Sequence, residues 1–338
     1  VADLRTRWLG LDLAGPVVVG AGPLGNDLTT VEALVAAGAG AVVLPSLFEE
    51  QLVHEQLGAH HFLDAYVDAT PEARSFLPDS DVFSLGAEGT LAQLQRLKAT
   101  VDVPVIASLN GVTPGGWTSL AGELAAAGAD AVELNLYDVV TDPAVSSAEV
   151  EARQLEVVAA VVAAVPVPVT VKLSATYTSV PGFAAALARA GASGITCFNR
   201  FSQPDIDLDT LGLDRRLVLS TPAELPPRLH ALALLWGKVP VDLACTGGVH
   251  SGTDAAKAIL CGAAVVQTVS ALLTTDRPAE ALRRMISELD AWLDERGYRS
   301  VGEARGATAF DNVADPTGWE RLNYARMLQG WTPRPSRG

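Results

Sequence analysis

AAGAGAVVL (36–44), AAGADAVEL (126–134), RAGASGITC (189–197) and LCGAAVVQT (260–268) are four copies of one phrase. Each reads as the end of an amphipathic helix, a Gly-Ala step and then a short apolar run. Gly suits the step because helices commonly close on a left-handed residue, where a Cβ would clash. An apolar run without alternation reads as a strand covered on both faces. Helix then strand, repeated, implies parallel strands with helices outside. The expected fold is therefore α/β: a (β/α)8 TIM barrel with an N-terminal hairpin, inserted loops after strands 2 and 6, and a C-terminal extension. Such barrels keep their chemistry at the C-terminal ends of the strands, so the residues just after each apolar run carry the functional information.

Working outward from those four phrases, residues 4–15 read as the hairpin. The eight strands are expected at 16–20, 41–44, 103–108, 131–136, 167–173, 194–198, 241–245 and 264–268. Helices are clearest at 148–165, 182–190 and 278–296, and Asp27 is placed to cap the first one. The segment 46–88 is rich in Glu, His and Asp without a clean period, as a functional lid would be. A second insertion covers 199–221. The barrel domain is expected over 1–297, with 298–338 packing on it or on a subunit interface.

The chain has 338 residues, 49% of them hydrophobic, and a formal net charge of −15. That balance disfavours nucleic acid and anionic membranes, which attract cationic faces. No apolar stretch reaches the ~18 residues of a membrane span, and VADLRTRWLG (1–10) lacks a signal-peptide core. A cytoplasmic protein is expected. Cys197, Cys245 and Cys261 are scattered without metal-ligand spacing and read as reduced core residues. No metal site is expected.

The strand ends are polar in a pattern. Strand 7 runs into TGGVHSG (246–252) and strand 8 into Thr268-Val269-Ser270. Adjacent glycines let backbone N–H groups approach an anion, and loops 7 and 8 are the recurring phosphate site of this fold. Lys172 stands in the otherwise apolar strand 5, and a buried ammonium needs an anion. It suits a fixed positive charge beside a flavin, a Schiff-base nucleophile, or a salt bridge to a barrel carboxylate such as Glu133. Glu133 and Asn135 share one face of strand 4 because side chains alternate. Asn110 and Asn199 repeat the amide at two further strand ends, which suits a planar, hydrogen-bonding ligand.

AGPLGN (21–26), ASLNG (107–111), VELN (132–135), VTVKLS (169–174), TCFNR (196–200) and TGGVHSG, in this order, resemble the dihydroorotate dehydrogenase family of FMN-dependent barrels. SLFEEQ (46–51), YDVVTDP (137–143) and the tail from 301 to 328 resemble its bacterial dihydroorotate dehydrogenase-like branch. The resemblance implies FMN as cofactor. Ala21 and Gly22 would lie against the flavin, and Ser46 and Asn110 would hydrogen-bond it. Asn135 would sit between flavin and substrate, and Lys172 would approach the pyrimidine edge. Gly247, Gly248, Val269 and Ser270 would bind the phosphate. Asn199 would bind substrate, and Ser220 would stand near the flavin.

The chain departs from that family in two places. The family's Cys or Ser base and its substrate-binding Asn after strand 4 give way to Tyr137-Asp138-Val139-Val140, and its lysine after strand 2 gives way to Pro45. An orotate carboxylate and imide would lose partners, and sites built on hydrogen bonds discriminate strongly when partners go. The expectation is an FMN-dependent oxidoreductase acting on a CH–CH bond of a small cyclic or unsaturated substrate, with dihydroorotate a candidate. Asp138 or Tyr137 would take the proton, and His60 or His61 could supply a base instead. Two other readings stand beside it: a phosphate-binding lyase or aldolase using Lys172, and a non-catalytic flavoprotein subunit. The electron acceptor is left open, and the expected oligomer is a homodimer.

Overall fold

A computed structural model describes residues 2–49, 87–111, 114–200, 204–214 and 216–330. Two short antiparallel strands open the chain, β1 (Thr6–Trp8) and β2 (Leu11–Leu13). Eight parallel strands then close on themselves: β3 (Val17–Val19), β4 (Val42–Val43), β6 (Val105–Asn110), β7 (Ala131–Asn135), β8 (Val169–Leu173), β9 (Gly194–Cys197), β12 (Asp242–Thr246) and β13 (Val265–Thr268). The ring is complete because β4 pairs with both β3 and β6. A short β5 (Leu47–Phe48), absent from the sequence reading, extends the edge of β6.

The Gly-Ala steps behave as one repeated device. Gly38, Gly128, Gly191 and Gly262 have φ of +107°, +103°, +98° and +116°. After each, the next residue's N–H reaches five residues back: Ala39 to Leu34, Ala129 to Leu124, Ala192 to Leu187 and Ala263 to Ala258, at 3.0–3.2 Å. This is the helix-ending motif that satisfies orphan carbonyls through a left-handed residue. It turns the chain from helix into strand four times.

The helices are α1 (Leu28–Ala36), α2 (Ala87–Thr100), α3 (Pro114–Ala126), α4 (Ser147–Ala164), α5 (Val180–Arg189), α6 (Leu225–Leu235), α7 (Gly252–Leu260) and α9 (Pro278–Glu295), with the short α8 (Ser270–Leu273) before the last. Asp27 caps α1 by accepting from Thr30 N at 2.8 Å. Ser146 and Glu149 form a reciprocal capping box on α4. The sequence placed strand 3 at 103–108, but β6 runs from Val105 to Asn110. Pro104 has no N–H to give the ladder, and the pairing starts one residue later. Asn110 is accordingly the last residue of the strand.

The hairpin seals one end of the barrel. Trp8, Leu9 and Leu13 pack with Val18, Val43, Ile106 and Ala244 in an inner apolar cluster. Leu9 N also donates to Asp242 Oδ2 at 2.8 Å, at the start of β12. The C-terminal ends of the strands lie at the opposite end from this hairpin. Insertion 199–221 contains a second hairpin, β10 (Asp205–Asp207) with β11 (Gly212–Asp214).

The tail runs outside α6 and α7. Gly306 N, Thr308 N and Phe310 N donate to Ile259 O, Leu260 O and Ala233 O at 2.9–3.0 Å. It carries α10 (Val301–Ala304) and ends in α11 (Arg321–Gln329), which exposes Leu322, Tyr324, Met327 and Leu328. His60 and His61 lie outside the described residues.

Candidate functional site

A cleft of about 280 Å³ opens at the C-terminal ends of β8, β9, β12, β13 and β3. It gathers nine residues singled out in the sequence: Ala21, Gly22, Lys172, Asn199, Ser220, Gly247, Gly248, Val269 and Ser270. Gly22 packs against Val269 so closely that a Cβ would stand 2.6 Å from Val269 Cγ1. The loops after strands 1 and 8 therefore form one wall.

Gly247 and Gly248 adopt φ of +87° and +79°. Ser220 ties their loop to the one after β13. Its N–H donates to Ser270 Oγ at 3.0 Å, and its hydroxyl accepts from Gly248 N at 3.5 Å and contacts His250 Nε2 at 3.3 Å. Beneath the glycines lies Arg228, buried on α6. Its Nε donates to the Thr246 carbonyl and its Nη1 to the Glu224 carbonyl, with the Glu224 carboxylate 3.8 Å away. Burial pushes its guanidinium pKa down from the usual value, opposed by Cys245 and Glu224. A single Arg in the apolar sequence LPPRLHALALL was the available signal, and the sequence reading passed over it.

The floor is polar and buried. Glu133 is fully buried, and its Oε1 stands 2.5 Å from Lys172 Nζ. That contact is ionic in geometry, with no hydrogen bond of ordinary angle reaching Oε1. Glu133 Oε2 accepts from Gln267 Nε2 at 2.7 Å and from Thr196 Oγ1 at 3.1 Å. Gln267 was also missed, although it is the one polar residue within AAVVQ (263–267). Its Oε1 is buried without a partner, as is Asn199 Nδ2, and both residues line the cleft. Buried polar atoms left unpaired in a cleft are acceptor and donor positions for a ligand.

Asn135 pairs in register with Lys172. Its Nδ2 donates to Ser108 Oγ at 2.8 Å, Ser46 Oγ at 3.0 Å and the Leu109 carbonyl at 3.0 Å. Ser46 and Ser108 share a hydrogen bond of 2.8 Å. Ser46, Asn135 and Ser108 thus form a knot that anchors the end of β7 to β6. Ser46, Asn135 and Asn110 do not line the main cleft.

Tyr137 and Asp138 lie apart from it as well. Both border a small cavity of about 40 Å³ with Trp117 and Arg153. Asp138 also lines a second cleft of about 250 Å³ with Gln154, Ser174, Thr176 and Tyr177. Among the described residues no group of three or more His, Cys, Asp or Glu could hold a metal ion. No helix among them is long and apolar enough to cross a membrane.

Residues 3–293 match the family model described as Dihydroorotate dehydrogenase. The chain is 30% identical over 277 residues to a protein of Methanocella arvoryzae named Dihydroorotate dehydrogenase B (NAD(+)), catalytic subunit, covering 78% of this chain and 85% of that one. It is 29% identical over 318 residues to the Putative dihydroorotate dehydrogenase A (fumarate) of Aeropyrum pernix, covering 90% and 97%. It is 28% identical over 331 residues to a Dihydroorotate dehydrogenase B (NAD(+)), catalytic subunit, of Pelobacter propionicus, covering 90% and 98%.

Proposed function

This chain belongs to the dihydroorotate dehydrogenase family, and from that premise we propose that it is an FMN-dependent oxidoreductase acting on a CH–CH bond of a small cyclic or unsaturated substrate. The observation that carries the reading is the single cleft joining Lys172 to Gly247-Gly248 and Val269-Ser270. It brings a cation and a glycine-lined, positive-φ cradle into one cleft, the two kinds of group that a flavin mononucleotide needs. The unpaired Gln267 Oε1 and Asn199 Nδ2 fit a heterocycle edge that both accepts and donates.

Bound FMN would supply two-electron exchange with a carbon–hydrogen bond. The chain's own groups do the rest. Backbone N–H groups around Gly247, Gly248, Val269 and Ser270 hold the phosphate. Lys172 sets a positive charge at the ring. Asn199 orients substrate, and Asn135 keeps the end of β7 fixed beside it. Asp138 would take the proton next to the departing hydrogen only on turning toward the main cleft from the neighbouring one, where Gln154 holds it and Tyr177 in turn donates to Gln154. Dihydroorotate is the first substrate to test, because it is the one in the names of the relatives.

A lyase using Lys172 as nucleophile is less well supported. A carboxylate 2.5 Å from Nζ competes with any carbonyl carbon for that nitrogen. Electrons must leave to an acceptor, and the relatives' names carry NAD(+) in two cases and fumarate in another. The exposed apolar side chains of α11 support a subunit contact there in a homodimer.

The test is a visible spectrum of the purified protein followed by anaerobic titration with dihydroorotate. Flavin bands that bleach support the full reading. Bands that persist keep the flavoenzyme and exclude dihydroorotate. A colourless protein that takes up no added FMN removes the flavin reading, and borohydride trapping on Lys172 then tests the lyase.

A further inference from the structure

Glu133 is the most enclosed charge-bearing group of the barrel interior, with no exposed surface. An unpaired carboxylate there would be expensive, so it must serve the groups it touches. Three reach it: the Lys172 ammonium at 2.5 Å, the Gln267 amide at 2.7 Å and the Thr196 hydroxyl at 3.1 Å. Two of these, Lys172 and Gln267, line the main cleft. Thr196 is itself fully buried, so it supports the carboxylate without reaching the cleft.

A carboxylate only accepts hydrogen bonds. Its Oε2 therefore draws the Nε2 end of Gln267, and the opposite end, Oε1, is left unpaired at the cleft. Its Oε1 draws the Lys172 ammonium and offsets part of that charge. One buried side chain thus fixes the direction of an amide and the effective charge of a cation, both on the floor of the cleft.

We propose that Glu133 is a positioning residue that acts through Lys172 and Gln267 to set the reduction potential of the flavin. The inference rests on the flavin reading of the cleft. A reduced flavin is richer in negative charge at its pyrimidine edge, and a nearby cation stabilises it. Glu133 offsets that cation, so it holds the potential below the value that Lys172 alone would give. Removing the negative charge while keeping the shape makes reduction easier. A side chain that merely packed the barrel would alter stability without a preferred sign in the potential.

The experiment is dye-linked anaerobic titration of the flavin-loaded protein, comparing the wild type with Glu133→Gln and Glu133→Asp. Glu133→Gln is expected to favour reduced over oxidised flavin by about tenfold, which is about 30 mV upward for a two-electron couple. Glu133→Asp keeps the charge but withdraws it, so the shift has the same sign and is about threefold. Its measurement keeps the test open should Glu133→Gln fail to fold. Either loaded variant titrating at the wild-type potential, or shifting downward, overturns the role of Glu133 while the flavin reading stands. A wild-type protein that binds no flavin overturns that reading and this inference together.

Discussion

Gln154 Nε2 donates to Asp138 Oδ2 at 2.7 Å, and the same amide accepts from the Tyr177 hydroxyl at 2.8 Å through Oε1. Gln154 is buried on α4. It holds the Asp138 carboxylate toward the second cleft, with Arg153 3.9 Å away. Burial and the Asp138 charge push the Tyr177 hydroxyl far above the usual tyrosine range. Tyr177 therefore keeps its proton and serves as a donor.

If Asp138 is the base, Asp138→Asn slows flavin reduction by substrate about 10²- to 10⁴-fold, the span expected for loss of a general base. Flavin content should not change. Tyr177→Phe, which removes only a holding contact, should cost less than about tenfold by the same reasoning. Stopped-flow bleaching under anaerobic conditions reads both. An Asp138→Asn protein that bleaches at the wild-type rate removes Asp138 from the chemistry.

The glycine pair makes a steric prediction. A Cβ on Gly248 would stand 2.5 Å from Leu225 N, which is backbone and cannot swing aside. A Cβ on Gly247 would meet the Arg228 guanidinium at 2.6 Å. Both residues also hold φ values that an L side chain adopts only with strain of order 1–3 kcal/mol. Gly248→Ala should weaken FMN affinity by at least about tenfold, since 1.4 kcal/mol is one decade. Gly247→Ala should do less, because Arg228 is a side chain. Fluorescence titration of the apoproteins measures the two constants, and the reverse ranking would mean that the loop relaxes where backbone contact says it cannot.

The repeated helix ends allow a cleaner comparison. Gly128 and Gly191 have nearly the same φ, +103° and +98°. A Cβ on Gly128 finds only Lys98 Cγ at 3.7 Å, whereas one on Gly191 finds Val162 Cγ1 at 2.8 Å. Gly128→Ala should cost only the left-handed strain of about 1–2 kcal/mol. Gly191→Ala should cost that and a further ~1 kcal/mol or more of overpacking. Urea unfolding of the two variants separates these terms. Equal losses would show that Val162 rotates freely out of the way.

Those same four glycines explain why so much of the barrel could be read in advance. A left-handed helix end leaves a glycine in the sequence, and a strand covered on both faces leaves an unbroken apolar run. What the sequence did not mark is what depends on direction or distance. The ladder at β6 begins later than the apolar run because Pro104 cannot donate. Asp138 follows β7 in a stretch without period, so nothing indicated that Gln154, sixteen residues on, would hold it away from the main cleft. Lys172 and Glu133 were each visible, and their pairing was one of three readings. Gln267 and Arg228 were hidden because apolar neighbours set the pattern around them, and a single polar residue does not disturb a period.

The three cysteines yield a prediction about alkaline pH. Cys197, Cys245 and Cys261 are all buried. Desolvation pushes the Cys245 thiol up to about 12 and Cys261 up to about 11, with Cys197 raised further still. An unfolded cysteine titrates near ~8.5. Below that value both states bind the proton and the fold keeps its full stability. Above it the unfolded chain releases protons that the fold retains, so the unfolded state binds fewer and stability falls as pH rises. Each thiol contributes a loss of up to roughly 1.4 kcal/mol per pH unit between its unfolded and folded values. Urea midpoints should decline from about pH 8.5 upward, and the decline should shrink in Cys245→Ser or Cys261→Ser proteins that still fold. A thiol reagent at pH 8 should label none of the three in the native protein and all of them in denaturant. Labelling of one thiol without unfolding would identify a local opening around that residue, and the pH slope carried by that residue would then vanish.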